Sequence, residues 1–101
     1  MDFEAALNQL RMWCDRPVTV VVEPDHSVMH GRLRELDSTG TDGAMFAVDR
    51  EDRPTTGVAV ALFRDAFASA RLEGSALYVE QGRMEIIVLD REGTGAPEPA
   101  R

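Results

Sequence analysis

At 101 residues and 44% hydrophobic content, the chain is long enough for one domain with a single modest core, and its composition excludes wholesale disorder. Eleven basic residues against eighteen acidic ones leave a net charge of −7, which sets the chain against general phosphate-backbone binding unless arginines are gathered locally. No apolar run approaches the ~20 residues of a membrane span, and Met1-Asp2-Phe3-Glu4 lacks a basic n-region, so a cytoplasmic location without membrane contact is expected.

In chain order, Phe3, Leu7, Leu10 and Cys14 recur at helical spacing with Ala6 and Trp13 beside them, which predicts an amphipathic helix over 2–15 with Asp2 as its N-cap. Pro17 closes it, because the residue before a proline is pushed out of helical geometry. Cys14 rules out an intrachain disulfide, being the lone cysteine, and reads as a small buried apolar residue. Val18 to Glu23 alternates as a β-branched strand, and the turn formers Pro24-Asp25-His26-Ser27 predict a hairpin to a second strand, Val28 to Asp37. The second strand must bend. Leu33 and Leu36 have opposite parity, so Gly31 and a bulge near Arg34-Glu35 are needed to turn both inward.

The composition of 38–43 is that of a loop. Ala44, Phe46 and Val48 alternate as a third strand, and 50–57 is a charged connection. Val58, Val60 and Leu62 mark a fourth. Asp65 to Leu72 admits either an alanine-rich helix or a tight strand corner, and the corner is favoured. Leu77 and Val79 face Met84, Ile86 and Val88 across Gln81-Gly82-Arg83 as a terminal hairpin. From Arg91 onward, Gly, Pro and Glu dominate, the composition of a disordered tail. All eleven basic residues are Arg and none is Lys, which reads as the compositional trait of a GC-rich bacterial genome.

Gly31-Arg32-Leu33-Arg34-Glu35-Leu36-Asp37 resembles the first half of the Sm1 motif of Sm and LSm proteins. That motif has a strand-bending glycine, two apolar positions, then an aspartate. A helix before a valine-rich strand is similar too, as is a tight corner like that of Hfq near 63–72. The resemblance covers roughly residues 3–72 and implies a mainly β fold, a small Sm-like or SH3-like antiparallel barrel with an N-terminal helix, here followed by a C-terminal β-hairpin that Sm barrels lack, the whole forming one domain over 1–90. It further implies a homo-oligomer joined through sheet edges. Apolar Met45, Ala59, Ala61 and Phe63, expected on outward faces, point the same way. For RNA, it implies Asp37 at base edges with Arg32, Arg34 and Arg64 on phosphates. Two departures count against that reading. The loop asparagine of Sm proteins has no counterpart in 38–43, and Arg64-Asp65 stands where Sm proteins carry Arg-Gly and Hfq carries Lys-His.

Catalytic signals are sparse. His26 and His30 straddle a turn and cannot share a helix face. With Asp25 they make too few convergent ligands for a metal, so no metal or cofactor is expected. The carboxylates are scattered, the serines lack a nucleophile-elbow setting, and no phosphate or dinucleotide loop is present. The expectation is a non-catalytic oligomeric interaction or scaffold module, with an Sm-like RNA-binding protein or RNA chaperone as the alternative.

Overall fold

The computed structural model describes residues 1–38, 42–50 and 58–91. Asp2 caps α1 (Phe3–Met12) by accepting the Ala5 N–H at 2.9 Å. Glu4 in the first turn and Arg11 in the last complement the helix dipole. Phe3, Ala6, Leu7 and Leu10 form its buried face. The helix stops short of the expected residue 15 because the next backbone groups are used elsewhere. Asp15 takes a left-handed φ of 71°. Its N–H donates to the Leu33 carbonyl at 2.7 Å, and the Leu33 N–H donates to the Arg16 carbonyl at 3.1 Å.

Seven strands follow: β1 (Pro17–Glu23), β2 (Ser27–Ser38), β3 (Gly43–Asp49), β4 (Val60–Phe63), β5 (Phe67–Glu73), β6 (Ala76–Gln81) and β7 (Met84–Asp90). They form one antiparallel sheet in the order β4-β3-β2-β1-β7-β6-β5. The stretch from Asp65 to Leu72 is a corner followed by a strand: Ala66 N–H donates to the Phe63 carbonyl at 3.1 Å and β5 begins at Phe67. The terminal hairpin extends the sheet from within. β7 pairs with β1, Val20 facing Val88, so β6 and β7 lie between β1 and β5. Two-residue turns at Gly74-Ser75 and Gly82-Arg83 connect β5 to β6 and β6 to β7. The first residue of each turn has a positive φ, 62° and 60°, a geometry suited to glycine. The loop, connection and tail expected at 38–43, 50–57 and 91–101 fall largely outside the described residues.

The bend in β2 has two separate causes. At Gly31 the strand passes so close to β3 that an added Cβ would press into the Asp49 carbonyl and lie 2.8 Å from Val48 Cγ1. The bulge sits further along than the Arg34-Glu35 expected from parity: the β2–β3 register slips between Glu35 and Ser38. Arg34 and Glu35 keep regular partners, Ala47 and Phe46, so the ladder gives way only after the core-facing contacts of Leu33 and Phe46 are made.

The bent sheet curls around one core. Phe3, Leu7 and Leu10 of α1 share a cluster with Val18 and Val20 of β1, Leu33 of β2, Phe46 of β3, Leu62 of β4, and Leu77 and Val79 of β6. Ala47, of opposite parity to Ala44, Phe46 and Val48, is also fully buried. The backbone ladder does not close into a barrel; β4 and β5 remain its two ends. A side chain spans part of the gap instead. Gln81, at the end of β6 and 3% exposed, accepts the Phe63 N–H at 2.8 Å and donates to the Ala61 carbonyl at 2.7 Å. No helix among the described residues is long and apolar enough to cross a membrane.

Four substitutions test this account. Gly31→Ala is expected to cost about 1–3 kcal/mol, since the clash is with backbone that cannot rotate away. Gly74→Ala, with open space around it, is expected to cost only about 1 kcal/mol for its positive φ. Gln81→Leu leaves a buried donor and acceptor without partners and is expected to cost about 2–4 kcal/mol. Gln81→Glu keeps an acceptor for the Phe63 N–H but sets a buried carboxylate against the Ala61 carbonyl, and should cost at least as much. Urea denaturation of the four variants measures the order.

Candidate functional site

The three arginines expected to meet RNA are placed apart. Arg32 and Arg34 share the outer face of β2, while Arg64 sits at the corner after β4. Arg34 is held by Asp49 through two hydrogen bonds, Nε to Oδ2 at 2.7 Å and Nη2 to Oδ1 at 3.0 Å, and they push its guanidinium pKa further up. Arg64 donates to Glu4 on α1 and lies over the Phe3 ring at 4.6 Å. Phe3 in turn meets Phe67 edge to face at 5.7 Å, so Arg64 closes a stack that fastens α1 to the corner. Arg32 donates Nη1 to the Asp15 carbonyl, and among the described residues it has no carboxylate partner. Asp37 is a β2 residue whose side chain lies outside what is described.

Arg32 and Arg64 also line different concavities. Arg64 shares one of about 440 Å³ with Asp42, Phe63 and Asp65, where two carboxylates accompany the single arginine. Arg32 shares an outer-face notch of about 480 Å³ with Pro17, His30, Asp49 and Arg91. Sequence reasoning missed Arg91, assigning it to the tail, because nothing local marks it. Its place follows only from β7 pairing with β1, which brings the Arg91 N–H to the Pro17 carbonyl at 2.9 Å.

The two histidines engage separate partners. His26 Nδ1 is 2.9 Å from Glu23 Oε2 in the β1–β2 turn, and His30 Nδ1 is 2.9 Å from Thr19 Oγ1 across the β1–β2 pair. Among the described residues no group of three His, Cys, Asp or Glu side chains is placed to hold a metal ion. Cys14 is half-buried, and burial pushes its thiol pKa up despite an opposing backbone hydrogen bond at Glu35. The buried Asp90 carboxylate meets Arg16 at 2.7 Å, an ion pair that ties the end of β7 to the entry of β1.

Part of the exposed apolar surface lies around the Gln81 clamp. Val58, Phe63 and Met84 are exposed and line one groove of about 320 Å³ with Val22, Ala61 and Ile86, between β4 and the tip of the β6–β7 hairpin. Of the residues expected to face outward, Phe63 is exposed, while Met45, Ala59 and Ala61 are half-buried. The other uncovered feature is β5. It is the last strand of the sheet, and Ala68, Ser69, Arg71, Leu72 and Glu73 are all exposed.

No family model, curated protein or solved structure matches the chain.

The setting of Cys14 has a measurable consequence. A thiol whose pKa is raised carries less thiolate at a given pH, so Cys14 should react with iodoacetamide or a disulfide reagent more slowly than free cysteine at about pH 8. The difference should vanish in urea, where the burial that raises the pKa is lost. Equal rates for the folded protein and free cysteine would contradict the assignment.

Proposed function

We propose that the protein is a non-catalytic, self-associating interaction module, a small curled β-sheet of Sm-like type that pairs through the edge of β5. The carrying observation is the state of the two sheet ends. At β4, the Ala61 carbonyl and Phe63 N–H are already taken by Gln81. At β5 the geometry of the Gly74-Ser75 turn makes Glu73 and Ala76 a hydrogen-bonded pair, so Glu73, Arg71 and Ser69 address β6. Ala70 and Leu72 then direct their backbone groups away from the sheet, consistent with the Ala70 carbonyl accepting from the Met1 amino nitrogen at 3.2 Å; Ala68 lies in the register shift between Phe67 and Ser69.

An edge of this kind is a template for another strand. Natural edges are protected by proline, lysine, inward charge or a bulge; β5 has no proline or lysine, and its register shift lies between Phe67 and Ser69, leaving the pairing regular from Ser69 to Glu73. Its two charges, Arg71 and Glu73, neutralise each other at 2.8 Å. Pairing of β5 with β5 of a second copy about a two-fold axis needs only this one edge, whereas a ring of the Sm kind needs two different edges on each subunit. Gln81 takes two backbone groups of β4, whereas Met1 takes one of β5, the Ala70 carbonyl, and this difference favours the dimer through β5.

The helix-first order, the bent second strand with Gly31, and the short corner between β4 and β5 support the Sm-like part of the reading. The hairpin inserted between β1 and β5 is its departure. The RNA-binding alternative rests on Arg32 together with Asp37, Arg34 and Arg64; the engagement of Arg34 and Arg64 with carboxylates favours the interaction module over it.

Light scattering should give about twice the 11.1 kDa chain mass at high micromolar concentration. Leu72→Pro removes an outward N–H without touching the β5–β6 ladder, and should return the mass to that of a monomer with the circular dichroism spectrum kept. A wild-type monomer at that concentration would refute the proposal.

A further inference from the structure

The notch on the outer face is built by register. Across β1, Pro17 faces Arg32 of β2, and the β1–β7 register that pairs Val18 with Asp90 continues to set Pro17 opposite Arg91. Residues directly opposite one another in an antiparallel sheet share a face. Arg32, Pro17 and Arg91 therefore share one row across three strands, which Asp49 of β3, opposite Arg32, continues on the far side; the two arginines are separated by two strand spacings, about 10 Å at the backbone. Proline between them has a low side chain, so the row is a depression with a guanidinium at each end. His30, two residues before Arg32, lines the same concavity.

Charge in the notch is less balanced than the chain as a whole. Its one lining carboxylate is Asp49, and both Asp49 oxygens accept from Arg34. Arg32 spends one N–H on the Asp15 carbonyl, and a guanidinium carries five. Arg91 is exposed and has no side-chain partner among the described residues. The nearby Asp90 carboxylate is fully buried and turned to Arg16. Two arginines on arms long enough to converge over one proline repel each other when the notch is empty, and an anion between them relieves that repulsion.

We propose that this notch binds a tetrahedral oxyanion of the phosphate type, gripped from opposite sides by Arg32 and Arg91 over Pro17. A guanidinium fork matches two oxygens of such a group, and two forks on opposite sides address all the unesterified oxygens of a phosphomonoester. The site does not depend on self-association, since it lies on the outer face of β1 and not on the β5 edge.

The test is a titration of the ¹⁵N-labelled protein with inorganic phosphate, and separately with a nucleoside monophosphate, following the amides of Val18, Gly31 and Arg91. Saturable shifts at these amides are expected, with affinity falling about tenfold in Arg32→Ala and in Arg91→Ala, the effect of losing one charge-assisted fork. Arg71→Ala, on β5 over the Tyr78 ring, should leave the affinity unchanged. Tighter binding of the nucleoside monophosphate would assign the phosphate to an organic ligand, and equal binding would assign it to the free ion. Both variants carry surface substitutions, and their dispersed spectra would show that they fold. Non-saturable shifts, or affinity unaltered in both variants, or an equal loss in Arg71→Ala, would overturn the proposal.

Discussion

The curl of the sheet depends on one amide. Seven antiparallel strands could lie as an open twisted sheet, but the core requires β4 and β6 to meet around α1, although four strands separate them in the ladder. Gln81 joins them. Its carboxamide presents an acceptor and a donor together, so it can serve the Phe63 N–H and the Ala61 carbonyl much as a neighbouring strand would. A carboxylate lacks the donor and an aliphatic side chain lacks both. The position is set by the two-residue turn that follows: Gly82 starts the reversal, and its N–H donates to the Ala66 carbonyl at 3.1 Å, pinning the hairpin tip to the β4–β5 corner. The helix then fastens the same region from the other side. Arg64 reaches Glu4 and Phe3, while Arg11 reaches Glu35 of β2 at 3.0 Å.

Period and turn chemistry made most of the strands legible. Alternation located β1, β3, β6 and β7 because each has one face in the core, and the glycines at 31, 74 and 82 marked the bend and two of the turns. The helix was legible from its apolar spacing, and its end was not, because Asp15 and Arg16 are claimed by hydrogen bonds to Leu33, a residue far along the chain. Parity called for a bulge near Arg34-Glu35, but parity counts residues and does not weigh contacts. The ladder holds through Phe46 and slips only beyond Glu35. Alternation in β3 is also incomplete as a guide to burial, since Ala47, of opposite parity to Phe46 and Val48, is buried with them.

The candidate site was less legible, because it is a property of strand order. Arg32 could be singled out from its strand, but Arg91 stands in a sequence of tail composition, and only the insertion of β6 and β7 beside β1 brings it to Pro17. Gln81 was read as part of a turn for the same reason. A glutamine before a glycine carries no local sign that it will cap a strand from another part of the chain.

The inserted hairpin also decides which edges the molecule offers. Without it, the strand after the corner would be free to lie against β1, and the two ends of the sheet would be alike in having one open side each. With it, β5 is carried to the outside and covered little, while Gln81 at the end of β6 reaches across to occupy part of β4. The asymmetry extends to charge. Arg11, Arg16, Arg34, Arg64 and Arg71 each meet a carboxylate, so these arginines hold elements together and add little to the outward field. The surplus of acids sets the sign of that field, and it is opposed locally where Arg32 and Arg91 flank Pro17. A small acidic protein can therefore keep partners of its own charge at a distance over most of its surface while presenting one neutral strand edge and one basic notch. Both follow from where β6 and β7 were placed in the sheet.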